Sequence, residues 1–333
     1  MAPPTGDDDT SKPEGDDPSE VAVALDEADD ELGKAIERAL AGRPDVVPVG
    51  VPLALLPPIL AARSETTGGT WRVACRPGVV DALGRALVLG TGVAEAVAKG
   101  AIELRTVTDQ PDAQRMLFAS SDRVDAVAGP EGNRTLVSAE TPERVAPAAR
   151  AVRERFASAT PATVDMPARS RLLAAARETL DDRFADDVAA TLDALPHGAV
   201  GRTGEVTDRT LLVALAARHD HLLWDLRRWI GGEADGENAE GVGIAAGQDL
   251  TGDRRALVRR GLIEAIKVPA GDGRPRLRLR AADDALLRAT PDEVLSVLRG
   301  RFALPVDEDG RVQVPPGRDE RRPVWEQARR DKN

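Results

Sequence analysis

Between Arg254 and Arg280 the chain reads RRALVRRGLIEAIKVPAGDGRPRLRLR, nine Arg or Lys against two acids, in a protein whose formal net charge is −11. The order of residues constrains the fold more than the charge does. An apolar helical face closes on Gly261-Leu262-Ile263, and two short alternating strands follow, joined across Gly271-Asp272-Gly273. Helix, stop and basic ribbon in that order predict a winged helix-turn-helix, with the helix before the stop as recognition helix and the ribbon as wing. The local surplus of cations in an acidic chain calls for a negatively charged partner, and double-stranded DNA fits the arrangement.

Helices over 208–218, 221–230 and 245–260 supply the three helices that such a domain needs. Leu222, Leu223, Leu226 and Ile230 form the inward face of the middle one. Leu250, Leu257, Val258, Leu262 and Ile263 form that of the recognition helix and its exit. Gln248, Thr251, Arg254 and Arg255 are then left pointing outward, toward base edges and phosphates in a major groove. In the ribbon, Arg274, Arg276, Arg278 and Arg280 alternate with Pro275, Leu277 and Leu279, giving one cationic and one apolar face. Lys267, Arg274, Arg276 and Arg278 are the candidates for holding phosphates. A solvated face that merely offsets carboxylates elsewhere would not need to cluster behind a helix-turn-helix pattern.

At 333 residues with 42% hydrophobic content, the chain suits two cores of moderate size. Residues 1–25, rich in Asp, Pro and Gly, are too polar to order themselves. Helices over 27–40, 53–62 and 79–98 then alternate with strands over 45–51, 71–76 and 102–107, the rhythm of a parallel α/β sheet. Short strands over 115–120, 124–129 and 135–138 suit an antiparallel extension, and a helix over 142–157 closes the domain near Pro161. The expected fold class is therefore an α/β N-terminal domain with a small mixed sheet, followed by an α+β C-terminal winged helix-turn-helix. The expected division is an acidic disordered tail (1–25), an α/β regulatory domain (26–162), a helical linker or dimerisation segment (163–204), the winged helix (205–302) and a flexible tail (303–333). In the linker, Leu172, Ala176, Leu180, Phe184, Val188, Leu192 and Leu195 make an apolar stripe at mostly four-residue steps. A dimer contact and packing on its own domain both fit it. One more amphipathic helix is expected over 283–298.

A single cysteine, Cys75, rules out an intramolecular disulfide and a cysteine-cluster metal site, and reads as a small buried strand residue. All three histidines, His197, His219 and His221, lie in the C-terminal half, so the α/β domain has no imidazole. No nucleophile–base pair or metal cluster can be assembled from its residues, so neither an enzyme nor a cofactor is expected. His219-Asp220-His221 looks like a metal-binding His-x-His, but at a helix boundary a cap or core role is simpler. Trp224 and Trp229, five apart in one helix, predict one packed and one partly exposed ring. Gly90-Thr91-Gly92 lacks the third glycine of a dinucleotide loop. No apolar run approaches the roughly 18 residues of a membrane span, so no membrane partner and a cytoplasmic location are expected. Five Lys against 40 Arg, no Tyr and acid spread along the whole chain suit a GC-rich genome with a salt-rich cytoplasm, the alternative being an ordinary acidic protein of a high-GC bacterium.

The segments LAARHDHLLWDLRRW (215–229), GVGIAA (241–246), GLIEAIKVP (261–269) and GRPRLRL (273–279) together resemble the TbsP family of haloarchaeal transcriptional regulators. The N-terminal domain is similar, more loosely, to that family's N-terminal region. Its close around Arg105–Thr160 resembles the effector-sensing domains of TrmB-like archaeal regulators, which share a fold with phospholipase D-like proteins. The His-x-Lys pair of those enzymes is missing, so the resemblance implies sensing or assembly. It also implies control of metabolic genes. The partners expected with it are a second copy of the chain, another transcription regulator and a small-molecule effector. The chain departs from the family where Gly247, Asp249, Gly252 and Asp253 occupy the first half of the recognition helix, with carboxylates that would face phosphate, and where Gly231–Gly241 forms an acidic insertion. Those departures motivate the alternative of a diverged winged helix that pairs with another regulator without reading DNA.

Overall fold

The computed structural model describes residues 30–108, 115–130, 133–197, 206–231, 241–245, 249–269 and 275–304. The expected tail 1–25, nearly all of 303–333, the wing turn Gly271-Asp272-Gly273 and two candidate DNA contacts, Gln248 and Arg274, lie outside the described residues.

The N-terminal part opens with α1 (Asp30–Leu40), β1 (Val47–Val51), a 3-10 turn (Leu53–Leu55), α2 (Leu56–Ser64) and β2 (Trp71–Cys75). It continues through α3 (Val79–Leu83), α4 (Leu87–Ala98), β3 (Ile102–Thr106), β4 (Leu117–Ala119), β5 (Val124–Ala128), β6 (Thr135–Ala139), α5 (Pro142–Ser158) and β7 (Thr160–Pro161). The seven strands form one sheet in the order β6-β5-β4-β1-β2-β3-β7. β1, β2 and β3 pair in parallel, as strands joined by helical crossovers must, and the remaining pairs are antiparallel. The mixed sheet expected from the change of rhythm is the one observed. β1, buried at every position, is its centre. α1, α2, α3 and α4 cover one face through Ile36, Ile59, Leu83 and Leu89, and α5 covers the other through Val145, Val152 and Phe156.

The expected helix over 79–98 is two helices. α3 stops at Gly84, and Gly90 of α4 lies so close to Leu83 that a Cβ there would sit 2.2 Å from the Leu83 carbonyl oxygen. Gly90-Thr91-Gly92 is thus a packing notch inside a helix. Cys75 is fully buried in β2, and burial pushes its thiol pKa up to about 12.

The C-terminal part comprises α6 (Arg169–Thr179), α7 (Asp182–Ala194), α8 (Asp208–Arg218), α9 (Leu223–Ile230), α10 (Leu250–Arg259), β8 (Ile263–Val268), β9 (Arg276–Ala281), α11 (Asp284–Arg288) and α12 (Val294–Phe302). The helix expected over 283–298 is broken into α11 and α12 by a Thr290-Pro291 turn, in which the Thr290 N–H donates to Glu293 Oε2 at 2.9 Å. Pro291 supplies no N–H to continue α11. Leu172, Ala176, Phe184, Val188, Leu192 and Leu195 of the apolar stripe are buried in one core with α8, α9 and α10. That apolar face is buried within the chain.

Phe184 sits at the hub of this core. Its ring meets Trp229 edge-on at 5.1 Å and stands edge-on to His221 at 5.4 Å. Trp229 Nε1 donates to the Leu172 carbonyl at 3.2 Å. His219 ends α8 and its Nε2 lies 3.0 Å from Asp187 Oδ2, so it fills a cap and core role. The two parts meet where Leu87 and Val88 of α4 join the C-terminal core and where Glu95 accepts from the Ser170 N–H (2.8 Å) and hydroxyl (2.7 Å). Burial pulls the Glu95 pKa up, but the hydrogen bonds from Ser170 and Lys99 outweigh it and hold the carboxylate below its ordinary value.

Phe184→Ala should destabilise the C-terminal core by about 3–5 kcal/mol, the cost of a large buried ring and its cavity, measured by chemical denaturation. A pH effect follows from His197 and His221, whose pKa values are both lowered from 6.5, chiefly by burial. The unfolded chain takes up protons below 6.5 that these folded imidazoles resist, so their contribution is complete above that pH and is lost progressively as pH falls below it. Tm should decline between pH 7.5 and 5.5 (roughly the window of an ordinary imidazole), and His221→Gln should flatten the decline.

Candidate nucleic-acid interface

The three helices and ribbon of the winged helix come from local sequence. α8 starts where Thr207 accepts from the Thr210 N–H at 3.2 Å, a cap of the usual type. α9 buries Leu223, Leu226, Trp229 and Ile230, while Trp224 stays 46% exposed. α10 buries Leu250 and Leu257, and Leu262 and Ile263 complete its exit. Val258, expected on the inner face, is 39% exposed instead, because Leu257 already occupies the buried position and its neighbour lies about 100° further round the helix. The helix begins at Leu250, five residues later than expected.

Before α10, Val242 donates to the Trp229 carbonyl at 2.9 Å, Gly243 to Gly231 at 2.9 Å and Ile244 to Ile230 at 3.1 Å. The two ends of the insertion therefore meet at the C-terminus of α9. Gly241 permits this, since a Cβ there would lie 1.6 Å from the Gly231 oxygen.

The carboxylates of the recognition helix are turned away from the expected DNA face. Asp253 accepts from Thr210 Oγ1 at 2.9 Å, Thr207 Oγ1 at 3.3 Å and Arg209 Nε at 3.1 Å, placing its charge at the N-terminus of α8. Asp249 lies 3.7 Å from Arg209 Nη1. The expectation that both acids would face phosphate is corrected by Arg209, which draws them to α8.

Thr251 accepts from Arg227 Nη2 at 2.6 Å. Arg254 lies close enough to Arg227 and Arg255 that burial first, and then those two charges, pull its pKa below the ordinary arginine value. The Nε atoms of both Arg227 and Arg254 are buried without a hydrogen-bond partner among the described residues. Arg255 is exposed. Arg227, Arg254 and Arg255 thus form a cationic cluster on α9 and α10 that a bound anion would relieve.

In the ribbon, Val268 pairs with Arg276, Ile266 with Arg278 and Glu264 with Arg280, whereas Lys267 pairs with Leu277. Paired residues share a face, so the three arginines line one side, and Lys267 lies on the other with Leu277 and Leu279. Leu279 is buried and Arg278 exposed, so the arginine side faces outward. The His221 carbonyl accepts from Leu279 N–H at 2.8 Å and Leu222 bridges to Arg278, adding a third, one-residue strand to the ribbon. Arg276 stacks over Trp224 at 4.1 Å, and Arg280 is held by Asp220 at 3.0 Å. Arg260 donates to the carbonyls of Arg301 (3.0 Å) and Phe302 (2.7 Å), ending α12. Of the basic run, Arg260 and Arg280 are therefore engaged within the fold, while Arg254, Arg255, Arg276 and Arg278 border the outward surface.

Sequence reasoning missed Arg227 and the stacking role of Trp224. The 3.6-residue period that places Leu223, Leu226 and Ile230 inward also sets Trp224 and Arg227 outward, so the signal was present.

The chain thus joins an α/β domain to a helix-turn-helix with a two-stranded wing. Residues 25–167 match the family described as transcriptional regulator TbsP-like, N-terminal, and residues 168–299 match transcriptional regulator TbsP-like, C-terminal HTH domain. The chain belongs to the TbsP-like transcriptional regulators. No curated protein and no solved structure matches it.

Asp253→Ala should remove the tie between α10 and α8 and leave Arg209 short of a partner. The expected cost is about 1–3 kcal/mol in denaturation of the protein.

Proposed function

We propose that this regulator binds double-stranded DNA through α10 and the arginine side of the wing. The observation that carries the reading is the cluster of Arg227 on α9 with Arg254 and Arg255 on α10, the helix whose Asp253 is bound to Arg209. Thr251, Arg254 and Arg255, with Gln248, contact the groove. Arg276 and Arg278, with Arg274 and Lys267, hold phosphates, and the stacking of Arg276 on Trp224 presets that guanidinium. Lys267 serves from the other side of the ribbon. The N-terminal domain regulates this binding in response to a small-molecule effector, the protein acts as a homodimer in the cytoplasm, and its targets are metabolic genes. Among the described residues no helix is long and apolar enough to cross a membrane.

A second reading, a winged helix that pairs with another regulator without reading DNA, draws on the exposed Val258 and Trp224 beside the cationic cluster. Chromatin immunoprecipitation of the tagged protein separates the two. The expected result is discrete promoter peaks, lost when Arg227, Arg255 and Arg278 are changed to Ala. On the recovered operators each lost phosphate contact should lower the salt slope by about one. Peaks indifferent to those arginines, or none at all, would leave the protein-pairing reading.

A further inference from the structure

The two edges of the seven-stranded sheet are unlike. β7 is two residues long and ends in Pro161, a protected edge. β6 presents five residues, Thr135–Ala139, with no charge, no proline and an unbroken register against β5. Open edges in soluble proteins are usually blunted by charge, proline or a bulge, and β6 has none of these in a chain that is 30% charged. Val137, at its middle, is 53% exposed.

The hydrogen-bonding phase of this edge can be read from its neighbours. The Val127 N–H donates to the Met116 carbonyl at 3.1 Å, so the backbone of Val127 points toward β4. Ala126 and Ala128 then face β6, in register with Val137 and Thr135. The backbone groups of β6 left pointing outward are those of Leu136 and Ser138.

We propose that β6 is a homodimer interface, in which two copies of this chain pair antiparallel, edge to edge, about a two-fold axis at Val137. The flanking charges identify a second copy as the occupant. Arg134 stands three residues before Val137 and Glu140 three after it. An antiparallel pair centred on Val137 sets each Arg134 opposite the partner subunit's Glu140, whereas a parallel pair would set like against like. Glu140 keeps its side chain 70% exposed while accepting from Arg123 at 3.1 Å. In the same register Leu136 and the partner's Ser138 exchange both backbone hydrogen bonds. The two Val137 side chains meet at a non-hydrogen-bonded position, where cross-strand approach is closest, and so cover each other.

The proposal takes from the proposed function only that the protein is dimeric, and solution mass reads this without DNA, so either can fail alone. Sedimentation of the full chain should give twice the 35.3 kDa chain mass at micromolar concentration. Val137→Lys, at an exposed position, should weaken association about fivefold (the upper range for a cross-strand pair, here of like charges set opposite each other) with an unchanged circular dichroism spectrum. Val137→Cys should cross-link to itself under mild oxidation, with no competition from the buried Cys75. Arg134→Cys should not, because two such positions would lie about 20 Å apart along the strands. A monomeric wild type, a dimer indifferent to Val137→Lys, or Arg134→Cys cross-linking as readily as Val137→Cys would each overturn the proposal.

Discussion

The edge of the Phe184 ring against Trp229 is the contact on which the C-terminal part depends. α9 is eight residues long, too short to be stable alone, and its inward face needs a surface to bury against. That surface is α6 and α7: Phe184 meets the indole at 5.1 Å, and Leu172 accepts its N–H. A buried Trp with an unsatisfied N–H would cost about 1–3 kcal/mol, so the Leu172 carbonyl fixes where α6 must lie. α9 in turn positions α10, because Arg227 reaches Thr251 from it. The orientation of the outward arginines is thus inherited from two helices that precede the winged helix in sequence.

For the proposed DNA contact, two aspartates at the start of α10 look self-defeating beside a polyanion, and Arg209 resolves the conflict. That residue, in the first turn of α8, takes Asp253 directly and Asp249 at longer range. Asp253 also lies at the positive end of α8, where a carboxylate is favoured. The same acids that would repel phosphate therefore lock α10 onto α8, and the cations on the other side of α10 are left without them. Gly252 sits on an open turn of α10, where a Cβ would meet nothing within 4 Å, so it weakens helix propensity without serving a close approach.

Much of this was legible in the sequence, and what was not has a common cause. The alternation of helix and strand, the antiparallel extension and the wing were carried by local periodicity, which survives folding unchanged. Most of the phase within each element was carried too, as Leu257 inward and Arg278 outward show, although Val258, expected inward, is exposed. Interactions between elements distant in the chain were not. Nothing local tells that Asp253 turns to Thr210, that Arg260 ends α12, or that Lys267 falls on the opposite side of the ribbon from Arg278, since that last point depends on the pairing register. The break between α3 and α4 was likewise hidden, because it arises from the approach of Gly90 to the Leu83 carbonyl.

The two parts of the chain are joined by packing as well as by sequence. Glu95 of α4 receives both the backbone and the hydroxyl hydrogen of Ser170 in the first turn of α6, and Leu87 and Val88 extend the C-terminal core into α4. From there the contacts run through Leu172 to Trp229, along α9 to Arg227, and on to Thr251 of α10. Contiguity alone is no proof of coupling, which requires an element with two discrete arrangements. It does set the mechanical rule that any such arrangement must obey. A displacement of α4 against the sheet either carries α6 with it, and α10 through α9, or it breaks the hydrogen bonds to Glu95. The hydrogen bonds from Ser170 hold the Glu95 carboxylate below its ordinary pKa, so the tie between α4 and α6 is strongest with that carboxylate ionised.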